Sequence, residues 1–138
     1  MRQEISELAI DTPGQGLHLF TPTVGDWVRD TGIVTGLLTL FVRHTSCSLL
    51  IQENAAPAAR RDLERWIMRI APESDGYEHD DEGPDDMPAH LRAAITATSL
   101  AIPVVSGVPV LGAWQGIYLF EHRRAAHRRR VVLHLIGQ

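Results

Sequence analysis

The chain of 138 residues has one cysteine and no lysine. A lone thiol, Cys47, excludes an intrachain disulfide and suits a reducing compartment. Without lysine there is neither Schiff-base chemistry nor a lysine general base, because all thirteen basic side chains are arginine. No apolar run approaches the roughly 20 residues of a membrane-spanning helix. The opening segment MRQEISELAI carries Glu4 and Glu7, unlike a secretory leader. A cytoplasmic protein without a membrane partner is expected. The EF-hand calcium pattern, the G-x-S-x-G elbow and the nucleotide-binding glycine fingerprints are all missing.

What is present is ordinary in bulk and uneven in detail. Hydrophobic residues make up 44% and charged residues 22% of the chain, enough for one domain spanning residues 1–138 with its own core. The net charge of −4 disfavours general nucleic-acid binding. The charge is segregated: eight of the seventeen acids lie between Glu73 and Asp86, and five arginines between Arg123 and Arg130. Arg123, Arg124 and Arg128–Arg130 could receive phosphate, form a solvated basic rim, which is the commoner case, or face the acidic loop of a neighbouring copy.

The apolar pattern predicts the elements. Ile5–Ile10 and His18–Phe20 read as strands, and Val24–Arg29 as a short helix. Gly36–Val42 is a nearly continuous apolar run rich in strand formers, followed by a strand over Cys47–Gln52. Leu63, Trp66, Ile67 and Ile70 form a stripe on a helix that opens at Pro57 and stops at Pro72. A further helix is expected over Pro88–Thr98. Leu100–Val105, broken by Pro103, reads as an edge strand. Gly116–Phe120 and Arg130–Ile136 are the last strands, joined by a mobile connection over Arg124–Arg129. Eight or nine strands and two or three helices with short connections predict an α+β fold. Its sheets should be two, mostly antiparallel and packed together like a sandwich.

Ligand-type side chains concentrate in Tyr77–His90, YEHDDEGPDDMPAH, with two histidines and six carboxylates. Such density on a loop points to chemistry more readily than to packing. His90, in the first turn of a helix, should stay neutral, as a metal ligand must. His44 ends a buried strand and could project toward the same place. His44, His79 and His90 would then leave one position open, as catalytic zinc sites do, and added carboxylates would suit manganese or iron. The competing reading makes His79 a solvated loop residue, His90 a capping one and Asp86 the N-cap of the second helix. Cys47 and Ser46, beside His44, fit a buried strand better than a nucleophile. Glu53 and Asn54 could point into a cleft at a helix start. Trp114 and Gln115, between Gly112 and Gly116, offer a stacking face and an amide, or else a β-bulge with the indole in the core.

The segments GLLTLFVRHTSCSLLIQEN, RRDLERWIMRIAPE, YEHDDEGPDDMPAHLRAAITATSLAIPV and LGAWQGIYLFEHR, in that order, resemble the YjbQ-like family. The resemblance implies a compact α+β fold, a homotrimer and a weak thiamine-phosphate synthase activity. That reaction joins a pyrimidine methyl diphosphate to a thiazole phosphate with release of pyrophosphate. By position, the family's polar set falls on His44, Glu53, Asn54, Asp62, His79, His90, Trp114 and Gln115. Three positions depart from the family pattern: Ala113 stands for its usual Thr, Ala56 for Asp and Gln52 for Asn.

Together these readings assign catalysis to His79, His90 and Glu53, and substrate contact to Asn54, Asp62, Trp114 and Gln115. The metal, whether zinc, magnesium or manganese, would sit on His44, His79 and His90. The expected function is that of a small-molecule enzyme, a thiamine-phosphate synthase-like transferase with a phosphorylated substrate. A metal-assisted hydrolase and a non-catalytic trimer that binds metal or a small ligand remain the alternatives.

Overall fold

The computed structural model describes residues 1–138. Its eight strands and three helices run β1 (Arg2–Thr12), β2 (Gly16–Leu19), α1 (Thr21–Thr31), β3 (Gly36–Val42), β4 (Cys47–Glu53), α2 (Pro57–Ile70), α3 (Asp86–Ile95), β5 (Ser99–Val105), β6 (Val108–Pro109), β7 (Gln115–Glu121) and β8 (His127–Gly137). Five strands form one sheet in the order β1-β8-β3-β5-β6, and three form a second in the order β2-β7-β4. Every pairing is antiparallel, so the expected α+β sandwich is the fold observed.

Alternation along the strands decides which faces meet. Leu38, Leu40 and Val42 of β3, with Val131, Leu133 and Leu135 of β8, are buried on one face of the large sheet. They pack against Cys47, Leu49, Ile117 and Leu119 of the small sheet, and α1 contributes Val24 and Val28 to the same cluster. β7 is buried along nearly its whole length because it is central and covered on both sides. Its Tyr118 and Phe120 point the other way and join Leu17 and Ile67 of α2 in a second cluster. The outer face of the large sheet has no such cover, and Leu37, Phe41 and Ile136 remain exposed there. Gly36 and Gly137 face each other across β3 and β8, where a Cβ on either would strike the opposite backbone.

Several boundaries differ from the sequence pattern, each for a local reason. The helix expected over Val24–Arg29 extends to Thr21–Thr31, because Pro22 suits a first turn and Gly32 supplies the left-handed cap. The helix expected over Pro88–Thr98 runs from Asp86 to Ile95. α2 begins without a capping side chain at Ala56; Glu53 Oε2 instead accepts the N–H groups of Ala55 and Ala56, at 2.8 and 2.7 Å. The stretch read as a mobile connection over Arg124–Arg129 is partly strand. β8 starts at His127, and Arg129 is buried, its Nε donating to Glu121 Oε1 at 2.7 Å.

That Arg129–Glu121 pair is the polar centre between the sheets. Burial raises the Glu121 carboxyl. Arg129, the Thr12 hydroxyl and the Arg123 N–H outweigh burial and hold it below its usual range. Beside it, burial pushes the His122 imidazole down to about 3, with Ser48 Oγ 2.9 Å from its Nε2. Cys47 is buried, and desolvation pushes its thiol up to about 12, which fits a packing role.

The His122 shift has a definite sign. The unfolded chain takes up a proton near pH 6.5 that the folded chain refuses until about pH 3. The stability held by neutral His122 is therefore present above pH 6.5 and lost progressively as pH falls toward 3. Urea titrations from pH 7 to pH 5 should show a falling midpoint, and His122→Gln should flatten that slope.

Candidate active site

The acidic loop is anchored by one arginine. Arg123, just past the end of β7, spreads its guanidinium across the start of α3. Its Nε donates to Asp85 Oδ2 at 3.0 Å, its Nη1 to Asp86 Oδ1 at 2.7 Å and its Nη2 to the Glu82 carbonyl at 3.0 Å. The Arg124 N–H adds a bond to Asp85 Oδ2 at 2.9 Å. Burial opposes ionisation of Asp85, but these donors overcome it and keep its carboxyl below the usual carboxylate range. The loop is also closed by Tyr77, whose hydroxyl donates to the Pro72 carbonyl at 2.7 Å, and by Gly83 in a positive-φ turn.

Asp86 then does on its second oxygen what the loop positions it for. His79 Nε2 lies 3.0 Å from Asp86 Oδ2, and His90 Nε2 lies 3.3 Å from the same oxygen. His90 reaches it because residues four apart share a helix face. His79 reaches it from the loop and also meets Glu82 Oε2 at 3.0 Å. The two imidazoles stand 5.7 Å apart, tilted by 57°. One ligand atom from each of His79, Asp86 and His90 falls within 4.8 Å of the others. The Asp86 side chain is only 5% exposed, against 46% for His79, so a buried anion carries two more accessible rings. The hydrogen bond that His79 donates to Asp86 raises the His79 pKa against some desolvation, with Asp81 and Glu82 adding to the effect. An open cleft of about 500 Å³, lined by Tyr77, Glu78, His79 and Met87, adjoins the loop.

The other expected site residues lie elsewhere in the chain. His44 is beside Arg129 and Ser46, and its Nε2 accepts the Arg130 N–H at 2.9 Å. That bond leaves the ring proton on Nδ1 and ties His44 to β8, apart from the His79, Asp86 and His90 group. Burial and then the Arg129 charge lower its pKa. Glu53, Asn54, Trp114 and Gln115 do gather, at the opposite end of β7. Asn54 Nδ2 donates to the Gln115 carbonyl, the Gln115 side chain accepts the Gly112 N–H, and the Glu53 carboxylate is taken up by the start of α2. Trp114 is 66% exposed and therefore not in the core. The seven residues of β7 separate this cluster from Arg123 by about 20 Å. Asp62 is exposed on α2 and lies 3.6 Å from Arg65.

Two residues gained roles that sequence reading did not give them. Asp86 is not a cap: it makes no capping bond and is the shared acceptor of the site. Arg123 holds it. The separation of acidic and basic segments was the available signal, but the pairing occurs within one chain. Arg124 likewise pairs with Glu73.

Comparison with known proteins places this architecture. The UPF0047 protein YjbQ-like family pattern matches residues 6–138. The chain belongs to that family. A UPF0047 protein of Synechocystis is 49% identical over 99% of this chain and 94% of its own length. The UPF0047 protein YjbQ of Escherichia coli is 42% identical over 95% of this chain and 96% of its own. The solved structure of a hypothetical protein from Aeropyrum pernix superposes with a TM-score of 0.88 at 29% identity, covering 98% of this chain and 99% of that one. A conserved hypothetical protein from Thermus thermophilus gives 0.85 at 31% identity, covering 95% and 99%. The UPF0047 YjbQ-like family is one of uncharacterised proteins.

Because Asp85 and Asp86 are buried and share one cation, removing it leaves carboxylates without their partner. Arg123→Gln should lower the unfolding free energy in urea by about 3 kcal/mol, well beyond the cost of an exposed ion pair.

Proposed function

We propose that the protein is an enzyme acting on a small molecule, with a divalent-metal site formed by His79, Asp86 and His90. The observation that carries this reading is the convergence of two imidazole nitrogens on one oxygen of a buried carboxylate. Two histidines and one carboxylate make a known donor set for zinc, manganese or iron, and the exposure of His79 leaves positions open to a substrate. Arg123 on the other oxygen of Asp86 is the outer support such a ligand needs.

The reaction class that fits best is transfer with release of diphosphate, as in a thiamine-phosphate synthase-like transferase. A divalent ion at this site supplies positive charge for a departing diphosphate. The chain's own part is to hold the donor atoms in place, with Asp86 fixed by Arg123 before any ligand arrives. Tyr77 and Met87 give the adjoining cleft an apolar wall for a heterocycle. The assembly we infer is a homotrimer, supported by the uncovered outer face of the large sheet with Leu37, Phe41 and Ile136.

Calorimetric titration with zinc or manganese tests the site. Wild type should bind one ion per chain. Asp86→Asn and His90→Ala should each weaken binding at least tenfold, in line with the roughly 10- to 100-fold effects of disturbing a ligand's support. Equal binding by these variants would remove the assignment. Binding must also displace the His79 proton, which is held more tightly than in free imidazole. Zinc affinity should therefore weaken as pH falls through a range that starts above the ordinary histidine value of 6.5. Pyrophosphate release from a pyrimidine methyl diphosphate and a thiazole phosphate should be lost in Asp86→Asn.

A further inference from the structure

A second polar cavity lies away from the acidic loop, between α2, the β1–β2 turn and the end of β7. It has a volume of about 230 Å³, and its wall includes Gln15, Glu64, Met68, Arg92 and His122. Arg92 is the unusual member. Its residue is only 2% exposed, yet no carboxylate lies within ion-pair distance of its guanidinium. Its Nη2 donates to the Ala71 carbonyl at 2.8 Å, while its Nε is buried with no partner. The acids that feel its charge at longer range are spent elsewhere, Asp85 on Arg123 and Glu73 on Arg124.

A buried guanidinium without a counter-ion is costly to keep, and its planar fork matches a carboxylate or phosphate. The rest of the wall narrows the choice. Glu121 is already neutralised by Arg129, but Glu64, half-buried, makes no ion pair and its carboxylate rests against Gly16. A phosphate dianion would be repelled by Glu64, whereas a donor group would be attracted. The Gln15 amide is committed to the His122 carbonyl at 3.0 Å. The cavity is smaller than the ~300 Å³ lower bound typical of drug-sized ligand sites, which excludes a nucleotide.

We propose that this cavity binds a small carboxylate that also bears a hydrogen-bond donor, an α-amino or hydroxy acid, with its carboxylate on Arg92 and its donor end toward Glu64. The site is independent of the metal site and does not need it. Arg92 belongs to α3, the helix that carries Asp86 and His90, but its guanidinium faces a different cavity.

Thermal unfolding of the intact protein tests this, with L-serine, L-lactate and inorganic phosphate as probes at constant ionic strength. L-serine or L-lactate should raise the melting temperature by roughly 5 °C at roughly ten times its Kd. Phosphate should not. Arg92→Met, which replaces an uncompensated buried charge by an apolar chain of similar length, should melt no lower than wild type and lose the response. Glu64→Gln, at a half-exposed position, should bind the same probe at least tenfold more weakly, and it decides the matter if Arg92→Met does not fold. The proposal is overturned if neither acid shifts wild type, if both variants respond as wild type does, or if phosphate matches the acids.

Discussion

The clamp of Arg123 on Asp85 and Asp86 is the interaction on which the site depends. One guanidinium reaches two adjacent carboxylates and a loop carbonyl, and so joins the end of the central strand to the first turn of α3. Asp86 is buried, and its carboxylate has Arg123 as its cation. Held by Arg123 on one oxygen, it keeps the other oriented outward, and His79 and His90 collect there. The loop's density of acids thus has a division of labour. Asp85 is a structural anion, Asp86 joins Arg123 to the two histidines, Glu82 and Asp81 act on His79 from the solvent side, and Asp80 stays exposed.

The sandwich supplies the rigidity behind this clamp. β7 is buried on both faces, by the large sheet on one side and α2 on the other, so the arginine that follows it leaves from a fixed point. The Glu121–Arg129 pair, with Thr12 and the backbone N–H groups beyond β7, fixes the same corner from within. Two arginines therefore secure two ends of one short segment, residues 121 to 123, against different elements.

The fold was legible because strand period and helix period are properties of neighbouring residues. Gly36–Val42 could hardly be other than a buried strand, and Leu63, Trp66, Ile67 and Ile70 could hardly stripe anything but a helix. The site was only partly legible. The histidines of the loop were visible as a cluster, since only a turn and the first turn of α3 separate His79 from His90. His44 was drawn into the same set on residue type alone, and its use by the Arg130 N–H depends on β3 and β8 being neighbours, which no local pattern states. Trp114 and Gln115 were near Arg123 in sequence, but an extended strand puts them at its far end. Asp86 looked like a cap because aspartate before a helix usually is one; a cation arriving from 37 residues away changed its role.

The decisive question is whether His79, Asp86 and His90 form one coordination site. X-ray data collected at the zinc absorption edge from crystals grown with zinc chloride address it directly. An anomalous peak is expected about 2.0–2.2 Å from His79 Nε2, His90 Nε2 and an Asp86 carboxylate oxygen. Zinc found only elsewhere, for instance at His44, with the two imidazoles still hydrogen-bonded to Asp86, would contradict it.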